Sequence, residues 1–167
     1  MTSQRLTKIS KNVHETVKDI ELLRDQLRHT REPYIKSVIM FGSRSRGEPT
    51  RKSDVDLLVL HEGYKVEDPV ERRRHIYNLL RQTIGKEFES LTVIDMKLEQ
   101  FLKPREISSL LLNIYWDAVV LYDQTQNLPS FLTHVKEKIK KSGLKRVKNE
   151  KAYHWTLPKP MKEVKIL

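Results

Sequence analysis

Cysteine is absent from this chain of 167 residues. Its absence excludes disulfide bonds, cysteine-ligated zinc and thiol nucleophiles. Long hydrophobic runs are absent as well. No segment approaches the roughly 20 apolar residues that a membrane-spanning helix needs, and residues 1–11 lack the apolar centre of a signal peptide. We therefore expect a soluble cytoplasmic protein that has no membrane partner.

Positive charge is concentrated at one end of the chain. The formal net charge is +10, and residues 136–167 hold 11 Lys and Arg against 3 Asp and Glu, a net of +8. Residues 1–135 therefore carry only +2. A basic segment of this kind can bind nucleic acid or another acidic partner, or it can simply keep the protein in solution. Both interpretations stay open at this point.

Hydrophobic periodicity predicts alternating helices and strands. Helical spacing covers residues of about 12–29, 69–84, 104–115 and 129–141. The second helix begins with the capping pattern Asp68-Pro69-Val70-Glu71 and stops at Gly85. Short β-branched or alternating runs predict strands at 35–41, 54–60, 89–96 and 118–122. This order predicts an α/β (α+β) fold, a small mixed sheet flanked by helices.

The predicted elements divide the chain into three parts. Residues 1–125 form the expected main domain, residues 126–143 a C-terminal helix, and residues 144–167 a basic tail. Residues 146–157 of this tail can form a β-hairpin that turns at Asn149-Glu150. Its aromatic residues, which include Trp155, either stack on nucleic-acid bases or dock on the domain.

Two aspartates stand at the start of the second predicted strand. Asp54 and Asp56 are two residues apart, so their carboxylates project from the same face of the strand. Two carboxylates at such a short distance repel each other, and burying them without a compensating charge is costly. A divalent cation relieves the repulsion, and hard oxygen ligands suit Mg²⁺ or Mn²⁺. The apolar run 57–60 anchors this pair in the core and makes it a candidate metal site.

A glycine turn precedes this pair by a dozen residues. The first predicted strand runs into Gly42-Ser43, where a short helix would present free backbone N–H groups. Such a turn binds phosphate, because glycine permits close approach and the hydroxyl of Ser43 can donate. Arg44 and Arg46 add positive charge nearby. A phosphate-binding turn beside a Mg²⁺ site is what chemistry on an NTP requires.

The combined pattern resembles a known signature. Gly42-Ser43, then Arg46-Gly47, then Asp54-Val55-Asp56 are similar to the nucleotidyltransferase motif of the DNA polymerase β superfamily. The spacing resembles that of its small stand-alone members, the minimal nucleotidyltransferases of archaea and bacteria, over residues of about 35–123. The resemblance implies a polymerase β-like fold for residues 1–125. It also implies transfer of an NMP from an NTP, with ATP the expected substrate, to an acceptor hydroxyl with release of pyrophosphate.

The resemblance also implies roles for particular residues. Gly42, Ser43 and Arg46 would bind the phosphates of the nucleotide. Asp54 and Asp56 would hold catalytic Mg²⁺ or Mn²⁺.

The resemblance also implies a third acid, on an adjacent strand, that would complete the metal site. Our candidate is Asp95, Glu89 is the second choice because it has the same strand parity, and an alternative register places Thr92 at the position of that acid.

Two further functions remain open under this resemblance. Some minimal nucleotidyltransferases act as antitoxins that bind or adenylylate a HEPN-type toxin, so a HEPN-type protein is a candidate partner. A non-catalytic module that binds nucleic acid through the basic tail is the third alternative.

Overall fold

The computed structural model describes residues 2–50, 53–150, 152–158 and 163–167. The longer helices are α1 (Thr2–Leu27), α3 (Pro69–Ile84), α5 (Ser109–Asp117) and α6 (Leu128–Lys141), and the two short ones are α2 (Gly42–Ser45) and α4 (Leu98–Leu102). The strands are β1 (Ile35–Phe41), β2 (Val55–His61), β3 (Leu91–Lys97), β4 (Val119–Asp123), β5 (Lys145–Asn149) and β6 (Ala152–Thr156). No helix in these ranges is long and apolar enough to cross a membrane.

A four-stranded mixed sheet forms the centre of the fold, with the order β3-β2-β1-β4. Strand β1 pairs antiparallel with both β2 and β4, while β2 and β3 are parallel. Helix α3 connects the two parallel strands, as a parallel pair requires a long crossover. The expected small mixed sheet flanked by helices is confirmed.

Local sequence signals explain where several helices begin. Asp68 caps α3, since its Oδ1 accepts a hydrogen bond from the Glu71 amide at 2.7 Å. Gly85 ends that helix with a positive φ of 73°, so both predicted ends are confirmed. Helix α5 begins at residue 109 rather than 104, because the Ser108 hydroxyl accepts from the Leu111 amide at 3.1 Å. Helix α4 was not predicted, and α1 begins ten residues earlier than predicted.

Apolar side chains cover both faces of the sheet. In β2, Val55, Leu57 and Val59 join a cluster with α1 and α3, whereas Leu58 and Leu60 join a second cluster with α5 and α6. Because side chains alternate along a strand, Asp54 and Asp56 share the parity of Leu58. The aspartates therefore belong to the sheet face that α5 and α6 cover.

The C-terminal part of the chain packs into this second cluster. Four residues of α6 are buried there, and Ile166 is also buried in it. The predicted hairpin is present: β5 and β6 pair antiparallel, with Arg146 opposite Trp155 and Lys148 opposite Tyr153. Helix α6 and the described part of residues 144–167 thus pack into an apolar cluster that also holds residues of 1–125.

Candidate active site

The predicted phosphate turn and the aspartate pair meet at one end of the two central strands, β1 and β2. Phe41, the last residue of β1, pairs with Asp56 near the start of β2. Helix α2 begins directly after Phe41, at Gly42. Its first backbone N–H groups have no partner within the helix, and no described residue hydrogen-bonds with the hydroxyl of Ser43. Gly42, Ser43 and Asp56 line one cleft of about 470 Å³.

Gly42 is required by the neighbouring aspartate. Its φ is +81°, a conformation that side chains disfavour. A Cβ at this position would lie 2.1 Å from Oδ2 of Asp56. The glycine therefore makes room for the carboxylate, in addition to the close approach of phosphate for which it was predicted.

The folded structure disfavours the ionised form of Asp56. Burial and then the charge of Asp54 raise the pKa of the Asp56 carboxyl, against smaller opposing contributions from Thr92, Arg46 and Arg44. Among the described residues, no Lys or Arg forms an ion pair with either aspartate within 4.0 Å. Two adjacent carboxylates without a cationic partner form a donor set that fits Mg²⁺ or Mn²⁺. Asp54 and Asp56 can thus hold such an ion.

The register of β2 and β3 brings Thr92, and not Asp95, to this pair. Thr92 lies opposite Asp56, and its hydroxyl is 3.3 Å from Oδ2 of Asp54. Asp95 lies opposite Val59, which points to the other face of the sheet. The expectation that Asp95 completes the metal site is therefore corrected. In the described ranges, no third His, Asp or Glu joins the two aspartates.

Asp95 is instead the centre of a buried ion cluster beside α3. Its side chain is 0% exposed, and it accepts hydrogen bonds from Arg72 Nε at 2.6 Å and Arg73 Nε at 3.4 Å. His61 Nε2 lies 3.3 Å from Asp95 Oδ2, although burial and then the charge of Arg72 lower the pKa of this imidazole. The second candidate, Glu89, is exposed and lines a separate cleft with Arg44.

Arg44 contacts the backbone just before Asp54. Its guanidinium donates two hydrogen bonds to the carbonyl of Ser53, at 3.0 and 2.9 Å. It also forms an ion pair with Asp19 of α1 at 2.6 Å. These contacts position the backbone that enters β2, so Arg44 supports the site instead of lining its phosphate turn.

Arg46 is tied to the C-terminal hairpin. Its Nη1 donates to Asp117 at 2.8 Å, and the same carboxylate accepts two hydrogen bonds from Arg146 at 2.7 and 2.6 Å. Arg46 also lies over the ring of Tyr153, 4.7 Å from its centroid. Sequence analysis missed Asp117 and the hairpin as parts of this site. The alternation of Arg146 with Lys148, and of Tyr153 with Trp155, was the available signal.

The chain matches one family profile and resembles several solved structures. The profile of the nucleotidyltransferase domain family matches residues 20–154. No curated protein sequence matches the chain. Among solved structures, one provisionally described as a nucleotidyltransferase from Sulfolobus solfataricus is 16% identical, with a TM-score of 0.45 over 68% of this chain and 87% of that one.

Two other solved structures belong to toxin–antitoxin systems. One, with AMP-PNP, is 21% identical, with a TM-score of 0.39 over 77% of this chain and 89% of that chain. A mutant of the MntA–HpeT toxin–antitoxin is 20% identical, with a TM-score of 0.38 over the same shares. Because the family profile covers most of the chain and includes its glycine turn and aspartate pair, this protein belongs to the nucleotidyltransferase domain family.

Proposed function

We propose that this protein transfers an NMP from an NTP to an acceptor hydroxyl, with a divalent cation held by Asp54 and Asp56. The observation that carries this proposal is the uncompensated carboxylate pair directly beside the Gly42 turn. Mg²⁺ or Mn²⁺ there would neutralise charge on the triphosphate and on the leaving pyrophosphate. ATP is the expected substrate.

Three residues of the cleft bind phosphate in this proposal. The amides of Gly42 and Ser43 and the Ser43 hydroxyl bind the β- and γ-phosphates. Arg46 adds positive charge, and its Nη2 has no hydrogen-bond partner among the described residues. Together these groups orient the triphosphate and favour the charge that develops on pyrophosphate.

The chemical step exchanges one P–O bond for another. The acceptor oxygen attacks the α-phosphorus, the bond between the α-phosphorus and the bridging oxygen breaks, and pyrophosphate leaves. With Thr92 in place of a third acid, the proton of the acceptor hydroxyl is lost to solvent, which reaches the exposed side chain of Thr92.

Thermal stability tests the metal and nucleotide assignment directly. Mg²⁺ or Mn²⁺ with one of the four NTPs should raise the melting temperature of the wild type, by an amount equivalent to about 2.7 kcal/mol at one hundred times Kd. Asp56→Asn should abolish this increment, while the matched variant Glu89→Gln, at an exposed acid outside the pair, should retain it. An Asp56→Asn variant with the full increment would exclude Asp56 as a ligand.

The threonine opposite Asp56 favours a second candidate, a module that binds NTP and a partner protein without efficient transfer. A HEPN-type toxin is the partner that the family resemblance suggests. Thr92→Asp discriminates the two candidates, because a third acid at this position should accelerate an enzyme whose acceptor is poorly activated. A wild type that binds NTP, transfers nothing, and forms a complex with a HEPN-type protein encoded beside it would support the binding module.

A further inference from the structure

The C-terminal hairpin presents one side to the domain. Residues alternate along its strands, so Arg146, Lys148, Tyr153 and Trp155 share a face, while Lys145 and His154 lie on the other. The first group contacts α5 and the segment after α2, and the second group is exposed. The aromatic residues therefore pack on the domain and are not displayed for stacking on nucleic-acid bases.

Trp155 and Arg146 anchor the hairpin to α5. The ring of Trp155 packs edge-on against Trp116 at 5.5 Å between centroids, and its Nε1 donates to Asn113 Oδ1 at 2.9 Å. Arg146 forms its paired hydrogen bonds with Asp117, whose side chain is 4% exposed. A bidentate, buried pair of this kind fixes geometry as well as adding attraction.

The other end of the hairpin contacts the segment that follows the phosphate turn. The carboxylate of Glu48 accepts hydrogen bonds from Tyr153 Oη at 2.9 Å, Lys148 Nζ at 3.1 Å and Arg46 Nε at 3.3 Å. Partial burial alone would raise the pKa of Glu48, but these three donors outweigh burial and lower it. Glu48 is therefore ionised at neutral pH and holds the Lys148 ammonium beside Arg46.

Lys148 faces the same cleft as the phosphate turn. Lys148 and Glu150 line it together with Gly42, Ser43 and Asp56. The Lys148 side chain is 48% exposed, so solvent or a ligand can reach its ammonium. An ammonium has three N–H donors. Among the described residues, Glu48 is the hydrogen-bond partner of the Lys148 ammonium, and the Tyr153 ring centroid lies 5.2 Å from its nitrogen.

We propose that the hairpin completes the nucleotide site and that Lys148 binds the triphosphate. This inference rests on the proposed function, because it assigns a further residue to the same cleft. The triphosphate carries more negative charge than Glu48, and Lys148 is already held at the cleft by the Glu48 contact. Part of the positive charge of residues 136–167 thereby acts on the nucleotide.

Calorimetry on the full chain with Mg²⁺ tests this role by comparing the affinities of ligands that carry three phosphates or one. The ligands are the NTP that the wild type binds most tightly, the corresponding NMP, and inorganic tripolyphosphate. Lys148→Gln should weaken the NTP and tripolyphosphate about tenfold, the scale of one lost charged hydrogen bond, and the NMP less than about twofold. Lys145→Gln, on the exposed face of the same hairpin, should change none of them.

The outcomes separate this inference from the proposed function. If the wild type binds no NTP, the proposed function fails and the role of Lys148 fails with it. If the wild type binds NTP and Lys148→Gln binds it equally well, only the role of Lys148 is refuted. Equal weakening of NTP and NMP with a lowered melting temperature would indicate a structural clamp and would also refute it. Lys148→Arg retains the charge and should keep most of the affinity.

Discussion

Asp56 lies partly buried beside a second carboxylate, and its ionised form is disfavoured in the folded protein. Because its pKa is raised on folding, ionisation of Asp56 lowers stability as pH rises from the ordinary aspartate range through the raised value. Asp56→Asn should therefore increase the melting temperature of the metal-free protein at neutral pH. The increase is about 2–4 °C for each 1 kcal/mol of relieved repulsion in a protein of this size.

The pH dependence of this increase identifies its cause. As pH falls through the raised pKa of Asp56, the wild-type carboxyl becomes neutral too, so the two proteins should converge. Thermal unfolding in EDTA from neutral to acidic pH measures the difference. A difference in melting temperature that does not change with pH would mean that packing, and not charge, makes Asp56→Asn more stable than the wild type.

Ser43 offers a cleaner test of the phosphate turn than Gly42 does. A side chain at position 42 would displace Asp56, so a loss of binding there would confuse the turn with the metal site. Ser43→Ala removes a hydroxyl that has no partner among the described residues. We expect NTP affinity to fall about tenfold with an unchanged melting temperature. Unaltered affinity by calorimetry would show that phosphate binds elsewhere in the cleft.

At the scale of elements, the buried carboxylate of Asp95 joins β3 to α3. Removing its charge leaves Arg72, whose side chain is 15% exposed, without its ionic partner. Asp95→Asn should therefore lower the free energy of unfolding by about 3 kcal/mol, as expected when a buried ion pair is broken. Urea denaturation measures this loss, and NTP affinity should stay at the wild-type value. A slower transfer reaction without loss of stability would return Asp95 to the catalytic site.

The difference between Asp54, Asp56 and Asp95 shows what the sequence could predict. The two paired aspartates share one strand, so their common face follows from the alternation of side chains alone. The role of Asp95 depended on the register between β2 and β3, and an offset of three residues places a side chain on the opposite face. That register pairs residues that are far apart in the chain, such as Asp56 and Thr92, so no local sequence signal reveals it.

The ends of α3 and the contacts of the hairpin show the same difference between local and long-range interactions. The cap at Asp68 and the stop at Gly85 are local, and both were predicted correctly. The hairpin around Asn149 was also predicted, but its contacts with Asp117 and Glu48 were not, because they join residues 29 and 105 positions apart. Periodicity identifies which elements form, while long-range charge pairs decide what those elements contact.

At the scale of the molecule, the basic residues of the C-terminal region lie on different surfaces. Arg146 and Lys148 face the domain, whereas Lys140, Lys141 and Lys145 are exposed. If single-stranded nucleic acid binds through these three exposed lysines, neutralising them with Gln should reduce the log–log salt slope by about 2, at about 0.7 per phosphate contact. NTP affinity should not change.

Truncation is unsuitable for this test, because removing residues after Gly143 would also remove buried Ile166 and the Arg146–Asp117 pair. Fluorescence anisotropy of a labelled oligonucleotide at several salt concentrations measures the slope of the full-length variants. An equal slope in wild type and triple variant would place bound nucleic acid on another surface. No binding at low salt would remove nucleic acid from the partners of this protein.

The carboxylate of Asp117 accepts hydrogen bonds both from Arg46, beside the phosphate turn, and from Arg146, in the hairpin. These two contacts span 71 and 29 positions of the chain, so forming both of them carries the entropic cost of closing two loops. The four-stranded sheet contains neither strand of the hairpin, so it can form before the hairpin docks. During refolding, competence to bind nucleotide should therefore return after the sheet has formed, as the last event in the assembly of the molecule.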